Sequence, residues 1–190
     1  MANTYVPEAS FTATIAVDNG KLGFGTFNTA VDRDYAFFGN WYGTPNSSHP
    51  YLTATSFKPT ETKFSFFNFL DDNGVSTYKI GYITPKNITE YLAVRLDSYV
   101  VSVPFIQRCL GWKVQLSADG HTLKSSDLVK GSTINVYLVS PNNKKLQVYW
   151  DLTWQKGAEA KDKNWWKFIS DADGEERTFA IQILETPIPE

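Results

Sequence analysis

Seven residues carry side chains suited by type and setting to hold a ligand: Trp41, Tyr42, Tyr149, Asp151, Trp154, Trp165 and Trp166. Tyr35-Ala-Phe-Phe-Gly-Asn-Trp-Tyr42 runs into a polar, proline-containing loop over 43–50. Tyr149-Trp150-Asp151-Leu152-Thr153-Trp154 runs into a charged loop over 155–163, after which Asn164-Trp165-Trp166-Lys167-Phe168 begins. Four of the six tryptophans therefore flank one loop. A Trp or Tyr ring can lie flat on a sugar ring or an acyl-chain boundary while its polar edge hydrogen-bonds, and its face attracts a quaternary ammonium head group. The competing expectation is that such rings pack in the core. Alternation separates the two: with Leu146, Val148, Trp150 and Leu152 facing inward, Tyr149 and Asp151 face outward, and the adjacent Trp165 and Trp166 point to opposite faces of their strand.

Catalytic chemistry finds less support. The two histidines, His49 and His121, lie in different loop regions, with no pair at metal-ligand spacing. Cys109 sits in the apolar stretch Phe105-Ile-Gln-Arg-Cys-Leu-Gly-Trp112, a setting for a buried, inert thiol. No nucleophile elbow or phosphate loop occurs, and Gly23-Phe-Gly25 lacks the third glycine of a dinucleotide fingerprint. Acids concentrate in turns, with Asp97 and Asp151 the ones well inside strand-like windows. The run Asp171-Ala-Asp173-Gly174-Glu175-Glu176 could offer oxygen ligands to calcium, but it reads better as an Asp-Gly hairpin turn with solvated acids.

The elements that must position these side chains read as strands. Period-two alternation is clear in Phe11–Val17, Thr77–Ile83, Trp112–Leu116, Ile134–Leu138, Leu146–Leu152 and Thr178–Ile183. Turn chemistry separates them: Asp18-Asn19-Gly20, Asp71-Asp72-Asn73-Gly74, Ala118-Asp119-Gly120, Pro141-Asn142-Asn143 and Asp173-Gly174. Ten to twelve short strands are expected, with only 125–130 and 157–163 locally helical. The Phe-rich strand over Phe64–Phe69 is expected in the core. Segments 74–96 and 131–152 echo one another: each has a Gly-led opening, an alternating strand, Ser/Thr-Pro-x-Asn and a second alternating strand, a pattern that either a duplication or two hairpins sharing one turn type would produce.

Composition bounds the class. The chain has 190 residues, 42% of them hydrophobic and 15% aromatic, with one Cys and a net charge of −2. That is too apolar for disorder, too poor in cysteine for a disulfide scaffold and too weakly basic for a phosphate-backbone interface. No apolar run reaches the roughly 18 residues of a spanning helix. Residues 1–10 lack the charged and apolar stretches of a signal peptide, so a cytoplasmic location, a removed leader or release by a non-classical route is expected.

An early strand closing on Asp18-Asn19, the Gly-led segment Gly74-Val-Ser-Thr-Tyr-Lys-Ile-Gly-Tyr-Ile83, the strand Tyr91-Leu-Ala-Val-Arg-Leu96 and a final alternating strand Phe179-Ala-Ile-Gln-Ile183 occur in an order that resembles the all-β cytolysins and lectins. That group includes actinoporins, fungal fruit-body lectins and, more loosely, aegerolysins. A second fragment is similar to aegerolysins: Ser126-Asp127, Gly131-Ser-Thr, Leu138-Val139, Pro141, then Tyr149-Trp150-Asp151-x-x-Trp154, with Thr153 where aegerolysins usually have proline. The resemblance implies a sandwich that recognises lipid head groups or glycans, sometimes followed by pore formation alone or with a partner. The residues after Leu96 are Asp97-Ser-Tyr-Val-Val-Ser-Val-Pro-Phe105 in place of the aromatic-rich choline site, and Tyr99 is carried over as an eighth candidate. Tyr91–Val101 also looks like a β-trefoil repeat, a fold that needs three copies.

The expectation is thus one all-β domain over 1–190, an antiparallel β-sandwich of the actinoporin-like type with a β-trefoil as the alternative. The expected role is a non-enzymatic cell-surface binding protein for membrane lipid head groups, a cytolysin or toxin component being one form of it. A carbohydrate-binding lectin is the first alternative and a glycoside hydrolase the second. No cofactor, metal or nucleic acid is expected, and a homo-oligomer or a protein partner stays open.

Overall fold

The computed structural model describes residues 3–18, 20–23, 26–29, 43–48, 52–55, 62–83, 89–96, 98–104, 111–149, 166–172 and 174–188, with the backbone alone at 23, 26–29, 43–48, 53, 55 and 166–168. Within them lie sixteen strands, all paired antiparallel, so the all-β expectation is met. In chain order they are β1 (Thr4–Tyr5), β2 (Phe11–Val17), β3 (Gly20–Gly23), β4 (Thr26–Thr29), β5 (Gly43–Ser48), β6 (Thr53–Thr55), β7 (Phe64–Leu70), β8 (Ser76–Ile83), β9 (Thr89–Val94), β10 (Val100–Val103), β11 (Lys113–Leu116), β12 (Thr133–Val139), β13 (Gln147–Tyr149), β14 (Trp166–Ser170), β15 (Glu175–Glu176) and β16 (Phe179–Glu185).

Six strands pair in a closed ring. β2 pairs with β7, β7 with β8, β11 with β12, β12 with β16, and β16 with β2. The remaining junction, β8 to β11, is made by the reciprocal main-chain bonds of Tyr78 and Trp112, at 2.7 and 3.2 Å. Alternation then sends every second side chain inward. Phe11, Ala13, Ile15 and Val17 of β2, Phe64 and Phe66 of β7, Ile80 of β8, Val114 of β11, Val136 and Leu138 of β12, and Phe179, Ile181 and Ile183 of β16 are all buried in one cluster. Each large aliphatic or Phe side chain buried this way contributes about 1.5–3 kcal/mol of transfer free energy. Phe11 and Phe66 stack at 4.5 Å between centroids, with Tyr78 edge-on to both.

Between ring strands the chain makes three two-stranded units within the main sheet, β3 with β6, β9 with β10, and β13 with β14, while β4 and β5 pair apart from it. With β4 and β5 inserted between β3 and β6, and β15 between β14 and β16, the chain order is ring strand, hairpin, ring strand, repeated three times: β2-β3-β6-β7, β8-β9-β10-β11 and β12-β13-β14-β16. The three hairpins also meet each other. Leu52 N–H donates to Val100 O at 2.8 Å, and Ile169 N–H donates to Leu52 O at 3.2 Å. Leu22 stands opposite Ala54, and Leu92 opposite Ser102. The pairing of Gln147 with Ser170 sets Leu146 opposite Asp171. Leu22, Leu92 and Leu146 are all buried. The echoing segments 74–96 and 131–152 are the first ring strand and first hairpin strand of repeats two and three.

Several local expectations need correction. The segment 43–48, read as a polar loop, is β5, paired with β4. Main-chain pairing asks nothing of side-chain polarity, and a proline is tolerated where its missing N–H would not face a partner. Strand number is also higher than expected, because strands of two to four residues, such as β1, β6 and β15, are too short to display a period. The stretch 125–130 forms only a single 3₁₀ turn, Ser125–Asp127, while 157–163 lies outside the described residues. Of the Phe64–Phe69 run, Phe64 and Phe66 are core; Phe67 and Phe69 lie on the opposite face, half-buried against Tyr5.

Candidate functional site

Of the sequence-derived candidates, Trp41, Tyr42, Asp151, Trp154 and Trp165 lie outside the described residues, as do His49 and Cys109. Trp166 begins β14, opposite Thr55 of β6. The two whose side chains are described are brought together. Tyr99, which precedes β10, and Tyr149, which ends β13, meet edge-to-face with centroids 6.0 Å apart and planes at 70°. They come from hairpins of different repeats, and the contact follows from the bridge that Tyr99 makes to Ser170, on the strand paired with β13. Both rings are half-buried, each with an accessible part. The inward placement of Leu146 and Val148 and the outward placement of Tyr149 agree with the alternation of the sequence.

On the same hairpin as Tyr149 is an open pocket of about 330 Å³ lined by Lys144, Lys145, Gln147, Asp171, Ala172 and Glu176. Its floor is built from the turn between β12 and β13. Asn143 adopts a left-handed φ of 60°, and Ser140 N–H bonds Lys144 O at 2.8 Å to close the turn. Asn tolerates that conformation better than most residues. Asp171, only 1% exposed, holds the turn from across the pocket: its Oδ2 accepts from Ser140 Oγ and from Asn142 Nδ2, both at 2.8 Å. Its own N–H donates to Ser98 O at 2.9 Å, in the turn that leads to Tyr99. Asp171 thus ties the pocket to the tyrosine pair.

The other carboxyl oxygen of Asp171, Oδ1, is buried with no hydrogen-bond partner. Leaving a buried polar atom unpaired costs about 1–3 kcal/mol, and such atoms are few in native proteins. Glu176, by contrast, is paired with Lys145 at 2.7 Å. The Lys145 ammonium also lies 3.7 Å from the centroid of the Tyr137 ring. This ion pair raises the pKa of Lys145, chiefly through the hydrogen bond that its ammonium donates to Glu176. The far wall depends on Gly174, which has φ 119° and approaches β13 so closely that a Cβ would stand 2.4 Å from Val148 O. Only glycine fits there.

The described acids of the Asp171–Glu176 run are each engaged with different partners, and Asp173 lies outside the described residues. Asp171 serves Ser140 and Asn142, Glu175 pairs with Arg177, and Glu176 pairs with Lys145. Among the described residues no three His, Cys, Asp or Glu side chains converge on one point. Sequence reasoning met Asp171 only as the first acid of this run. Its burial was not visible there, because it depends on the Ser140–Asn142 turn, 29 to 31 residues away.

A second polar cluster sits at the tip of the β11–β12 connection. His121 Nδ1 lies 2.7 Å from Asp119, and its Nε2 lies 3.4 Å from Asp127. The side-chain hydrogen bond to Asp119 raises the His121 pKa, while the His121 backbone N–H, which donates to the Asp119 carboxylate, and then the imidazole contact lower that of Asp119. Asp127 also accepts from Lys124 N–H at 2.8 Å. This cluster secures a surface turn. Among the described residues no helix is long and apolar enough to cross a membrane.

Comparison of the chain with protein-family models, with curated proteins and with solved structures finds no match.

Proposed function

We propose that this chain is a non-enzymatic binding protein on a trefoil-type scaffold that recognises glycans at a cell surface through its third repeat. The scaffold reading is supported by the closed six-strand ring and by three hairpins inserted in the same chain order, and this favours the trefoil alternative over the sandwich. The observation that carries the ligand reading is the polar pocket on the hairpin of Tyr149, whose Asp171 is bonded to the turn that leads to Tyr99. Ligand sites combine a few placed polar groups with aromatic surface. Here the polar groups are a carboxyl, a carboxamide and ammonium groups, which match the hydroxyls of a sugar, while a tyrosine face suits its C–H surface.

Recognition of a lipid head group is the second reading, and one observation favours it. Leu96, in the turn just before Tyr99, is fully exposed, which suits contact with an acyl boundary, while the tyrosines could face a quaternary ammonium.

Probing a glycan array with the labelled chain, alongside co-sedimentation with sphingomyelin-containing vesicles, tests both. Array binding without sedimentation is the expected result. Sedimentation alone would replace the glycan reading with the lipid one, and neither signal would remove both. Release of reducing sugar from a bound glycan would overturn the non-enzymatic reading.

A further inference from the structure

We infer that His121 is an acid-set clasp between repeats two and three: as an imidazolium it bridges Asp119 to Asp127, and on losing one proton it keeps Asp119 and releases Asp127. The clasp sits at the end of the ring away from the hairpins and is independent of the glycan reading.

The two contacts of the imidazole set the requirement. Nδ1 lies 2.7 Å from the Asp119 carboxylate, and Nε2 lies 3.4 Å from Asp127 Oδ2. An ionised carboxylate only accepts, whereas a neutral imidazole donates from one nitrogen and accepts at the other. Both contacts are therefore hydrogen bonds only when both nitrogens carry a proton. In the neutral form one nitrogen turns a lone pair toward a carboxylate. The shorter contact holds the remaining proton at Nδ1, so the longer one, to Asp127, is the one that fails.

The surroundings favour the bridged form. Asp119 and Asp127 are the charges that act on His121, and both stabilise an imidazolium. Of the strands packed against this connection, β11 brings the uncharged Gln115, bridged to Thr122, and β12 brings Asn135, whose carbonyl accepts from Ser117 N–H. From β8 comes Tyr78, with its hydroxyl 3.5 Å from Leu123 O, and burial keeps that phenol neutral. Lys124 joins the cluster through its main-chain N–H, which donates to Asp127.

What the clasp controls follows from what each end holds. Asp119 belongs to the turn that closes β11, where Gly120 N–H donates to Leu116 O and Leu116 N–H to His121 O, both at 2.9 Å. Asp127 ends the 3₁₀ turn Ser125–Asp127. Leu123 and Leu128, on either side of that turn, are buried in the core cluster. These leucines seat the connection whether or not the imidazole is charged. Releasing Asp127 therefore loosens the short turn and the exposed Val129 beyond it, while the ring stays closed. The clasp is shut below the ordinary histidine value of about 6.5 and opens as pH rises through the higher value of the folded chain.

The experiment is a pH titration of the full ¹⁵N-labelled chain, followed at the imidazole nitrogens and by amide exchange corrected for the intrinsic rate at each pH. His121→Gln, neutral throughout, separates the His121 ring signals from those of His49. In acid both ring nitrogens of His121 are expected to carry protons, and above the midpoint the Nδ1–H form is expected. Protection of the Asp127 and Leu128 amides, which bond Lys124 O and Ser125 O, should be lost through the same midpoint, while that of Val136 and Leu138 in β12 holds. His121→Gln should show no such step. Asp127→Asn, whose amide oxygen can still accept from Lys124 N–H, should lower the midpoint, and Asp119→Asn should lower it further. A midpoint unmoved in Asp127→Asn, or protection that ignores the state of the ring, would overturn the bridge. An Nε2–H form above the midpoint would mean that the Asp119 end lets go, and would overturn the assignment. Should Asp127→Asn fail to fold, the wild-type tautomer and the coincidence of ring and amide midpoints decide the matter.

Discussion

The hairpins of repeats two and three follow one backbone plan and tie themselves to the ring in opposite ways. In repeat two the tie is an aromatic one: Trp112, fully buried, donates its indole N–H to Leu92 O at 3.0 Å, and Ser102 stands opposite that leucine. In repeat three the corresponding leucine, Leu146, is opposite Asp171, whose carboxyl reaches across to the Ser140–Asn142 turn. The apolar tie leaves its polar groups satisfied; the carboxyl tie leaves one oxygen over. A scaffold of repeated parts can therefore keep its packing in every repeat while the polar groups that tie each hairpin differ.

Removing each tie should expose the contrast, and the largest effect belongs to Trp112. Replacing Trp112 with Ala empties a fully buried site and orphans Leu92 O, for an expected cost of about 3–5 kcal/mol; urea unfolding by circular dichroism measures it. A cost below about 1 kcal/mol would mean that the ring does not depend on this junction. Next comes Asp171→Ala, expected to cost about 1.5–3 kcal/mol through loss of charge-assisted bonds to Ser140 and Asn142. Ser102→Ala, at the matching place, removes a bond to the Tyr82 hydroxyl and should cost about 0.5–1.5 kcal/mol. Equal costs would erase the distinction between the repeats. That Tyr82 hydroxyl is pushed up to about 12, chiefly by burial, and it stays neutral across the ordinary range.

The contact that joins the two repeats is smaller. A double-mutant cycle of Tyr99→Leu and Tyr149→Leu should return about 0.5–1.5 kcal/mol of coupling for an edge-to-face pair; a value of zero would mean that the rings add nothing to the main-chain bonds between the two hairpins. The smallest effect is expected where repeat two hands over to repeat three, at His121. Its pKa is raised in the folded chain, mainly by the bond to Asp119. Its contribution is therefore fully present below the unfolded value of about 6.5 and is lost as pH rises through the raised folded value. His121→Asn should narrow the difference from wild type as pH increases through neutrality, read as the shift in urea midpoint; a difference that widens would reverse the assignment.

Much of the fold was legible because it rests on local patterns. The β2 window matches its strand residue for residue, and β8, β11, β12 and β16 differ from their expected limits by one or two residues. At Asp71 the turn reading holds in atomic detail, with its Oδ1 accepting from Asn73 and Val75 N–H and Gly74 at φ 75°. The echo of 74–96 and 131–152 falls on matching strands of two of the three units, β8-β9 and β12-β13. The third escaped notice because β2 turns directly into β3 through Asp18-Asn19, without the Pro-containing loop that makes the other two look alike.

The candidate site was only half legible, for a physical reason. Exposure of an aromatic on an alternating strand is a local property, so Tyr149 could be read from its neighbours. Its contact with Tyr99 depends on two hairpins meeting, and nothing in either segment encodes that distance. Asp171 was hidden further still. An acid in a Gly-containing turn looks solvated until the chain brings Ser140 and Asn142 against it.

The amino-acid order by itself determined the period, the turns and the all-β class, since these follow from side-chain alternation and from residues that tolerate tight backbone conformations. Tertiary structure alone decided which strands close into a ring, which tyrosines meet and which carboxyl is buried with an oxygen to spare. Those outcomes depend on main-chain pairing between distant segments, and every backbone offers the same donors and acceptors for it.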